Sequence, residues 1–327
     1  MQSIKYIILI LLTTQTIFGC CQQQPAPKKQ LPENGTILPG AYSTGKYLLL
    51  LKGKKIGIVT NNTSLINKTH LADSLISLKI NVVKIFGPEH GFRGDQPDGK
   101  DILNGKDPRT GIEVISLYGN HKKPAKVDLE DIDIMIFDIQ DIGIRFYTYI
   151  STLTYVMEAC AEDNIPLIVL DRPNPNGYYV DGPVLESKYA SFVGMHPVPV
   201  VYGMTIGEYA EMVNGEKWLK NGIQCKLTII KCGNYTHKSR YQLLERPSPN
   251  LQDMKAIYLY PSLCLFEGTV VSIGRGTDKP FKVFGHPKLS IGKYSFTPKP
   301  IKGISEDPPH KGQLCYGQNL EKEAELI

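Results

Sequence analysis

Short apolar runs alternate with amphipathic stretches from Lys54 onward, the pattern expected for βαβ units around a parallel sheet. The apolar runs predict strands over residues 56–60, 82–86, 114–118, 134–139, 167–170 and 226–231. The amphipathic stretches predict helices over residues 70–78, 148–160 and 205–218. The last helix opens with a capping box, in which Thr205 and Glu208 satisfy each other's backbone donors. The sequence therefore predicts an α/β fold with a parallel sheet flanked by helices.

The pattern changes after about residue 246, where proline and glycine become frequent. Pro247-Ser248-Pro249-Asn250 and Gly274-Arg275-Gly276-Thr277 are examples. Such residues favour turns over long helices. We therefore expect residues 38–246 to form the α/β domain and residues 247–327 to form a second, smaller α+β domain.

Polar side chains follow the predicted strands at the points where the strands end. In an open α/β sheet, ligands bind beyond the carboxyl ends of the strands, so this placement predicts one cleft rather than several sites. The residues at or just beyond the ends of the first five strands are Asn61, Asn62, Glu89, His90, Tyr118, Asp138, Gln140, Asp171 and Arg172.

The loop Gly87-Pro88-Glu89-His90-Gly91 sets a carboxylic acid beside an imidazole at the end of a buried apolar run. Both groups can transfer protons. Glu89 is therefore the first candidate for chemistry, with His90 next to it. The alternative is that Glu89 caps a helix or stabilises the loop.

A second dense segment crosses from the fourth strand into the next helix. Acids, an amide, an arginine and tyrosines in one crossing can hydrogen-bond hydroxyl groups and stack on a sugar or another ring. Alternatively, the two acids cap the helix and the tyrosines lie in the core. The candidates are Asp138, Gln140, Asp141, Arg145, Tyr147 and Tyr149.

A third candidate segment is the loop at residues 171–177. Its prolines and glycine predict a rigid loop that holds Asp171, Arg172 and Asn174 in place for binding. The alternative is that Asp171 and Arg172 form a structural ion pair.

The first residues of the chain predict export. Residues 1–19 carry Lys5, a short apolar run and a small residue before Cys20, which is typical of a secretory signal. Ile17-Phe18-Gly19-Cys20 is similar to a bacterial lipobox, in which the cysteine is acylated. We therefore expect a lipid anchor on Cys20, a polar tether over residues 20–37, and a location in the cell envelope on the periplasmic side of a bacterial membrane. A plainly secreted or inner-membrane-anchored protein is the alternative.

The net charge and the absence of several known motifs reduce the number of function classes that the sequence supports. A formal net charge of +5 is too small to argue for nucleic acid as a partner. The chain has no Gly-x-Gly-x-x-Gly at a strand-to-helix turn, no P-loop, no His-Glu-x-x-His and no Gly-x-Ser-x-Gly, and its cysteines lack metal-ligand spacing. We therefore expect neither a cofactor nor a metal. The reaction class that the sequence still supports is acid–base chemistry by carboxylates on a hydroxyl-rich or ring-shaped substrate.

Several motifs together resemble the exo-β-N-acetylmuramidase family. They are Phe86-Gly87-Pro88-Glu89-His90-Gly91-Phe92, the stretch at 137–149, Leu170-Asp171-Arg172-Pro173-Asn174-Pro175-Asn176-Gly177, Ser191-Phe192-Val193-Gly194, the stretches at 199–208 and 260–269, and Gly274-Arg275-Gly276-Thr277. The resemblance implies release of N-acetylmuramic acid from the non-reducing ends of peptidoglycan fragments, MurNAc-GlcNAc and muropeptides among them. It also implies a Rossmann-like catalytic domain and a smaller C-terminal domain. We expect this C-terminal domain to be incomplete, because in the family it usually extends beyond the point where this sequence ends.

On this resemblance Glu89 is the general acid. Glycoside hydrolysis usually needs a second carboxylate, and four residues compete for that role: Asp138, Asp171, Glu186 and Glu267. The lactyl carboxylate of muramic acid would be bound by Arg145, Arg172 or Arg275. Arg145 is the first choice, because it should project into the cleft. The full set of expected substrate-binding residues is Asn61, Asn62, Gln140, Arg145, Tyr147, Tyr149, Arg172, Asn174, Tyr202, Glu267 and Arg275.

Two other functions remain open on the sequence. One is a catalytically idle lipoprotein that binds muropeptides. The other is a metal-dependent phosphoryl or acyl hydrolase that uses Asp138, Asp141 and His90.

Overall fold

The computed structural model describes residues 35–93, 104–290 and 292–323. The signal segment at 1–19, the acylation site Cys20 and most of the tether at 20–37 lie outside the described residues. Within the described residues, no helix is long and apolar enough to cross a membrane. The helices are α1 (Thr44–Leu51), α2 (Leu71–Ser77), α3 (Lys126–Leu129), α4 (Tyr149–Glu162), α5 (Ile206–Gly215) and α6 (Met254–Leu263).

The strands of the described residues are β1 (Lys55–Thr60), β2 (Leu65–Ile66), β3 (Thr69–His70), β4 (Asn81–Gly87), β5 (Gly105–Lys106), β6 (Glu113–Ser116), β7 (Ile134–Asp138), β8 (Leu167–Leu170), β9 (Leu227–Ile230), β10 (Val283–His286), β11 (Tyr294–Phe296) and β12 (Cys315–Asn319). Seven of them form one large sheet in the order β5-β6-β4-β1-β7-β8-β9. All seven are parallel except the edge strand β5, which runs antiparallel to β6.

The predicted fold class is confirmed. All six predicted strands are present, and each lies within two residues of its predicted bounds. Numbered along the chain, the six parallel strands follow the order 3-2-1-4-5-6, which is the doubly wound order of Rossmann-like folds. The capping box of α5 is also confirmed, because Glu208 N donates to Thr205 Oγ1 and Thr205 N donates to Glu208 Oε2.

The central strands are apolar at nearly every position because both faces of the sheet are covered. In β7, Ile134 and Ile136 pack into one hydrophobic cluster, while Met135 and Phe137 pack into the cluster on the opposite face. Successive side chains of a strand point to opposite faces, so a continuous apolar run is needed here. Register pairs Thr60 with Asp138, which aligns the carboxyl ends of β1 and β7.

The C-terminal part adds a three-stranded antiparallel sheet in the order β10-β12-β11. Before it, α6 leads directly into a short 3-10 helix, Cys264–Gly268. Asp253 caps α6 by accepting a hydrogen bond from Ala256 N at 2.9 Å. Tyr260 and Phe281 join the same hydrophobic cluster as Phe137, so the core continues from the large sheet into this part of the protein.

Candidate active site

A cavity of about 740 Å³ lies at the carboxyl edge of the large sheet. Segments that follow β4, β6 and β7 form part of its wall, and the 3-10 helix after α6 forms another part. The predicted site residues that line it are Glu89, His90, Tyr147, Tyr149, Glu267 and Arg275. The structure therefore brings together residues that lie far apart in the sequence.

Glu89 lies in a tight loop at the end of β4. Gly91 N donates to Pro88 O at 2.9 Å, and His90 and Gly91 have φ values of 70° and 77°. A left-handed backbone is uncommon for a residue such as histidine, and such strain concentrates at functional sites. A Cβ atom on Gly87 would lie 2.9 Å from Phe92 N, so the loop needs glycine there. The turn leaves Glu89 half-buried at the cavity wall.

Glu267 is the second carboxylic acid of the cavity, and two side chains hold it. Arg275 donates from Nη2 to Glu267 Oε1 at 2.7 Å, and the Tyr260 hydroxyl donates to Oε2 at 3.5 Å. The Arg275 guanidinium also lies over the ring of Phe281, 5.1 Å from its centroid. These contacts fix Glu267 in one orientation toward the cavity.

Burial raises the pKa of Glu267 to about 7, and the negative charge of Glu89 acts in the same direction, while the hydrogen bond from Tyr260 opposes both. The guanidinium of Arg275 also favours ionised Glu267. Burial lowers the pKa of Arg275 to about 10, against the effect of Glu89, so this arginine stays charged at neutral pH. The site thus holds a carboxyl group that can exchange a proton near neutrality.

Aromatic side chains line another part of the cavity. Tyr147 and Tyr149 are in edge-to-face contact, with ring centroids 4.9 Å apart. The hydroxyl of Tyr147 donates to Pro247 O at 2.8 Å, and the hydroxyl of Tyr149 accepts from Asn61 Nδ2 at 3.0 Å. Asn61 therefore positions Tyr149 and is not among the lining residues. The rings offer apolar faces of the kind that pack against sugars.

Asp138 and Arg172 form a buried ion pair outside the cavity, which corrects their expected roles. Arg172 Nη2 donates to Asp138 Oδ2 at 2.9 Å, and Arg172 Nε donates to Oδ1. Asp138 is fully buried and Arg172 nearly so. Because each charge needs the other in this environment, neither is free to bind a substrate.

Asp171 also has a structural role rather than the expected catalytic one. Its Oδ1 accepts from Gly207 N at 2.8 Å and its Oδ2 accepts from Thr205 Oγ1 at 2.9 Å, so the carboxylate holds the start of α5. Burial raises the pKa of Asp171 to about 6. The alternative of an ion pair between Asp171 and Arg172 is wrong as well, because the Arg172 guanidinium pairs with Asp138.

Four further predicted residues make backbone contacts away from the cavity. Gln140 Nε2 donates to Asp141 O and Pro173 O. Asn174 Nδ2 donates to Met204 O at 2.8 Å, and Asn62 Nδ2 donates to Arg246 O at 3.1 Å. The fourth is Arg145, whose expected projection into the cleft is wrong: its Nη1 donates to Pro183 O and Val198 O. These side chains brace neighbouring loops.

Tyr202 and Asp141 form a buried hydrogen-bonded pair away from the cavity. Asp138 and Asp141 therefore have partners unrelated to a metal, and the described part of the chain contains no group of three metal-ligating side chains. Glu186, the remaining candidate for the second carboxylate, is exposed and pairs with Lys188 at 2.8 Å. Of the four competitors, only Glu267 lines the cavity.

Sequence reasoning missed several lining residues, among them Lys122, Phe146, Phe192, Tyr260 and Phe281. Phe192 and Tyr260 lie in motifs that carried the family resemblance. Lys122 lies in a loop without any such motif, four residues after Tyr118.

Comparison with known proteins matches these features to one family. The model of the N-terminal part of exo-beta-N-acetylmuramidase NamZ matches residues 56–255, and the model of its C-terminal part matches residues 258–325. The chain belongs to the NamZ family. Peptidoglycan beta-N-acetylmuramidase NamZ of Bacillus subtilis is 39% identical, over 96% of this chain and 80% of that protein.

Solved structures agree with the NamZ assignment. A DUF1343 family protein of Bacteroides fragilis is 49% identical, with a TM-score of 0.81 over 89% of this chain and 78% of its own. A second DUF1343 family protein of the same species is 34% identical, with a TM-score of 0.75 over 86% of this chain and 76% of its own. The Rossmann-like fold is thus shared with experimentally determined structures.

Proposed function

We propose that this protein is a glycoside hydrolase that releases N-acetylmuramic acid from the non-reducing ends of peptidoglycan fragments, in cell-wall turnover or recycling. The observation that carries the proposal is the pairing of Glu89 and Glu267 in one aromatic-lined cavity. The Bacillus subtilis relative, which is named a peptidoglycan beta-N-acetylmuramidase, supports the substrate class. MurNAc-GlcNAc and muropeptides are the expected fragments.

Glu89 acts as the general acid in this proposal. Its carboxyl proton moves to the glycosidic oxygen as the bond from that oxygen to the anomeric carbon breaks. Water supplies the hydroxyl group that ends on the muramic acid, and its other proton returns to the enzyme's carboxyl groups to replace the one given up. Glu267 supplies the second carboxyl group, whose negative charge stabilises the positive charge that develops on the sugar ring.

The direct test uses the purified chain without its first 20 residues and MurNAc-GlcNAc as substrate. We expect free N-acetylmuramic acid and N-acetylglucosamine as the products, with no release from a GlcNAc-GlcNAc control. Binding of the muramyl disaccharide without release would indicate the alternative, an idle muropeptide-binding protein. Hydrolysis that stops when a chelator is added would support the metal-dependent alternative.

We also propose that the mature protein is anchored by lipid on Cys20, on the periplasmic side of a bacterial membrane. The support is the lipobox-like Ile17-Phe18-Gly19-Cys20 and the polar segment that follows it. Metabolic labelling with an alkyne fatty acid should mark the protein, and Cys20→Ala should abolish the label. Cys21→Ala is the matched control and should keep it, whereas equal labelling of both variants would exclude acylation of Cys20.

A further inference from the structure

Lys122 is a basic residue that lines the cavity. Among the described residues that line the cavity, the only arginine or lysine side chains are Lys122 and Arg275. Arg275 is paired with Glu267, and the negative charge of Glu89 also acts on its guanidinium. A carboxylate at Arg275 would therefore meet two acidic side chains, whereas no carboxylate oxygen of the described residues lies within 4.0 Å of Lys122.

The neighbours of Lys122 are both anchored. His121 Nε2 lies 2.7 Å from Asp128 Oδ2, and Lys123 Nζ contacts Glu162 at 2.8 Å and Glu158 at 3.3 Å. The backbone of Lys122 is therefore fixed on both sides. Of the side chains of His121, Lys122 and Lys123, that of Lys122 alone lines the cavity.

The ring of Phe192 supports the ammonium group. Lys122 Nζ lies 4.8 Å from the centroid of that ring, a cation–π distance. Phe192 is itself fixed, because its ring stacks on Tyr155 at 6.0 Å and its carbonyl accepts from Ser151 Oγ at 2.6 Å. Ser191 and Gly194 close a two-residue turn that presents Phe192 and Val193 at the cavity.

We propose that Lys122 and Phe192 form a carboxylate-binding subsite, which on the proposed function receives the lactyl group of muramic acid. The ammonium group pairs with the carboxylate. The apolar surfaces of Phe192 and Val193 contact the methyl group of the lactyl substituent. N-Acetylglucosamine has neither group, so this subsite selects muramic acid.

The test compares Lys122→Gln with Lys126→Gln, which removes the same charge from an exposed side chain outside the cavity. Substrates are MurNAc-GlcNAc and the same disaccharide with its lactyl acid converted to the amide. Lys122→Gln should lower kcat/KM for the acid by about ten- to hundredfold, and leave the amide nearly unchanged. Lys122→Arg should restore much of the activity. Lys126→Gln should behave as wild type on both substrates.

Equal losses on acid and amide, or wild-type activity of Lys122→Gln on the acid, would overturn the subsite. A binding measurement distinguishes failure of the subsite from failure of the proposed function. Calorimetry measures the binding of free N-acetylmuramic acid, with N-acetylglucosamine as the comparator. A wild-type protein that hydrolyses nothing refutes the proposed function. Weaker binding of N-acetylmuramic acid to Lys122→Gln than to Lys126→Gln would still support the subsite, and equal binding would refute it.

Discussion

Besides the larger effect of burial, the negative charge of Glu89 raises the pKa of Glu267, although the two residues come from distant parts of the sequence. Glu89 follows a strand of the large sheet, and Glu267 lies in the 3-10 helix after α6. Both line one cavity. The family's N-terminal and C-terminal parts thus each contribute one carboxyl group to the proposed reaction.

Glu89→Gln should abolish turnover while leaving the fold intact. The amide keeps the shape and hydrogen bonding of the acid but cannot deliver a proton, so we expect a loss of roughly hundredfold or more in kcat. Kinetics on MurNAc-GlcNAc and a thermal unfolding curve check this. Glu186→Gln, the same change on the exposed surface, is the control and should retain full activity. Near-normal activity of Glu89→Gln would remove it from the general-acid role.

Glu267→Gln should change the pH dependence of the reaction. In the wild type, activity should rise as pH rises through about 7, where Glu267 loses its proton and gains the negative charge that its proposed role requires. Glutamine has no ionisable group, so this rise should disappear, and kcat should be reduced by about tenfold or more. A pH profile of kcat/KM measures both effects. An unchanged rise near pH 7 in the variant would mean that Glu267 is not the group that titrates.

Much of the fold and part of the site could be predicted from local patterns. The strands of the sheet are buried on both faces, so their apolar runs are unbroken and their ends are marked by polar residues. Glu89 could be identified because a Gly-Pro-Glu-His-Gly loop at a strand end has few structural uses. The predicted strand ends therefore located the correct edge of the sheet.

Local patterns could not show which polar residues at that edge face the cavity. Asp138 is the last residue of its strand and is covered from both sides, so its charge is met by Arg172 inside the protein. Arg145 lies in an extended crossing where loop carbonyls from Pro183 and Val198 surround its guanidinium. Such partners lie far away in the sequence, and only the tertiary structure reveals them.

Arg172→Met should destabilise the protein without acting on the chemistry directly. Removal of the guanidinium leaves Asp138 as an uncompensated buried charge, a change that typically costs about 3 to 5 kcal/mol in free energy of unfolding. Urea unfolding measures this loss. Lys55→Met breaks the exposed Lys55–Asp131 pair and is the control, which should change stability little. Equal effects of the two substitutions would contradict the structural role of the buried pair.

Asp141 should make the stability of the protein fall as pH rises. Burial raises the pKa of Asp141 to about 7, above the value of about 3.9 for an unfolded aspartate. Between these values the folded protein binds the extra proton, so the free energy of unfolding decreases with pH by up to about 1.4 kcal/mol per unit. The contribution is complete below pH 4 and is lost by about pH 7.

Asp141→Asn should remove this slope, because asparagine has no proton to lose. Its amide oxygen can still accept from Tyr202 and from Gly143 N, as Asp141 Oδ2 does. Asp141 Oδ1 accepts no hydrogen bond from the described residues, so the amide group placed there imposes a cost that does not depend on pH. Urea unfolding of both proteins at pH 5, 6, 7 and 8 gives the two stability curves. We expect the difference in free energy of unfolding between the two proteins to shift in favour of the variant as the pH rises to about 7. Parallel curves would contradict this, because they would mean that Asp141 is ionised throughout.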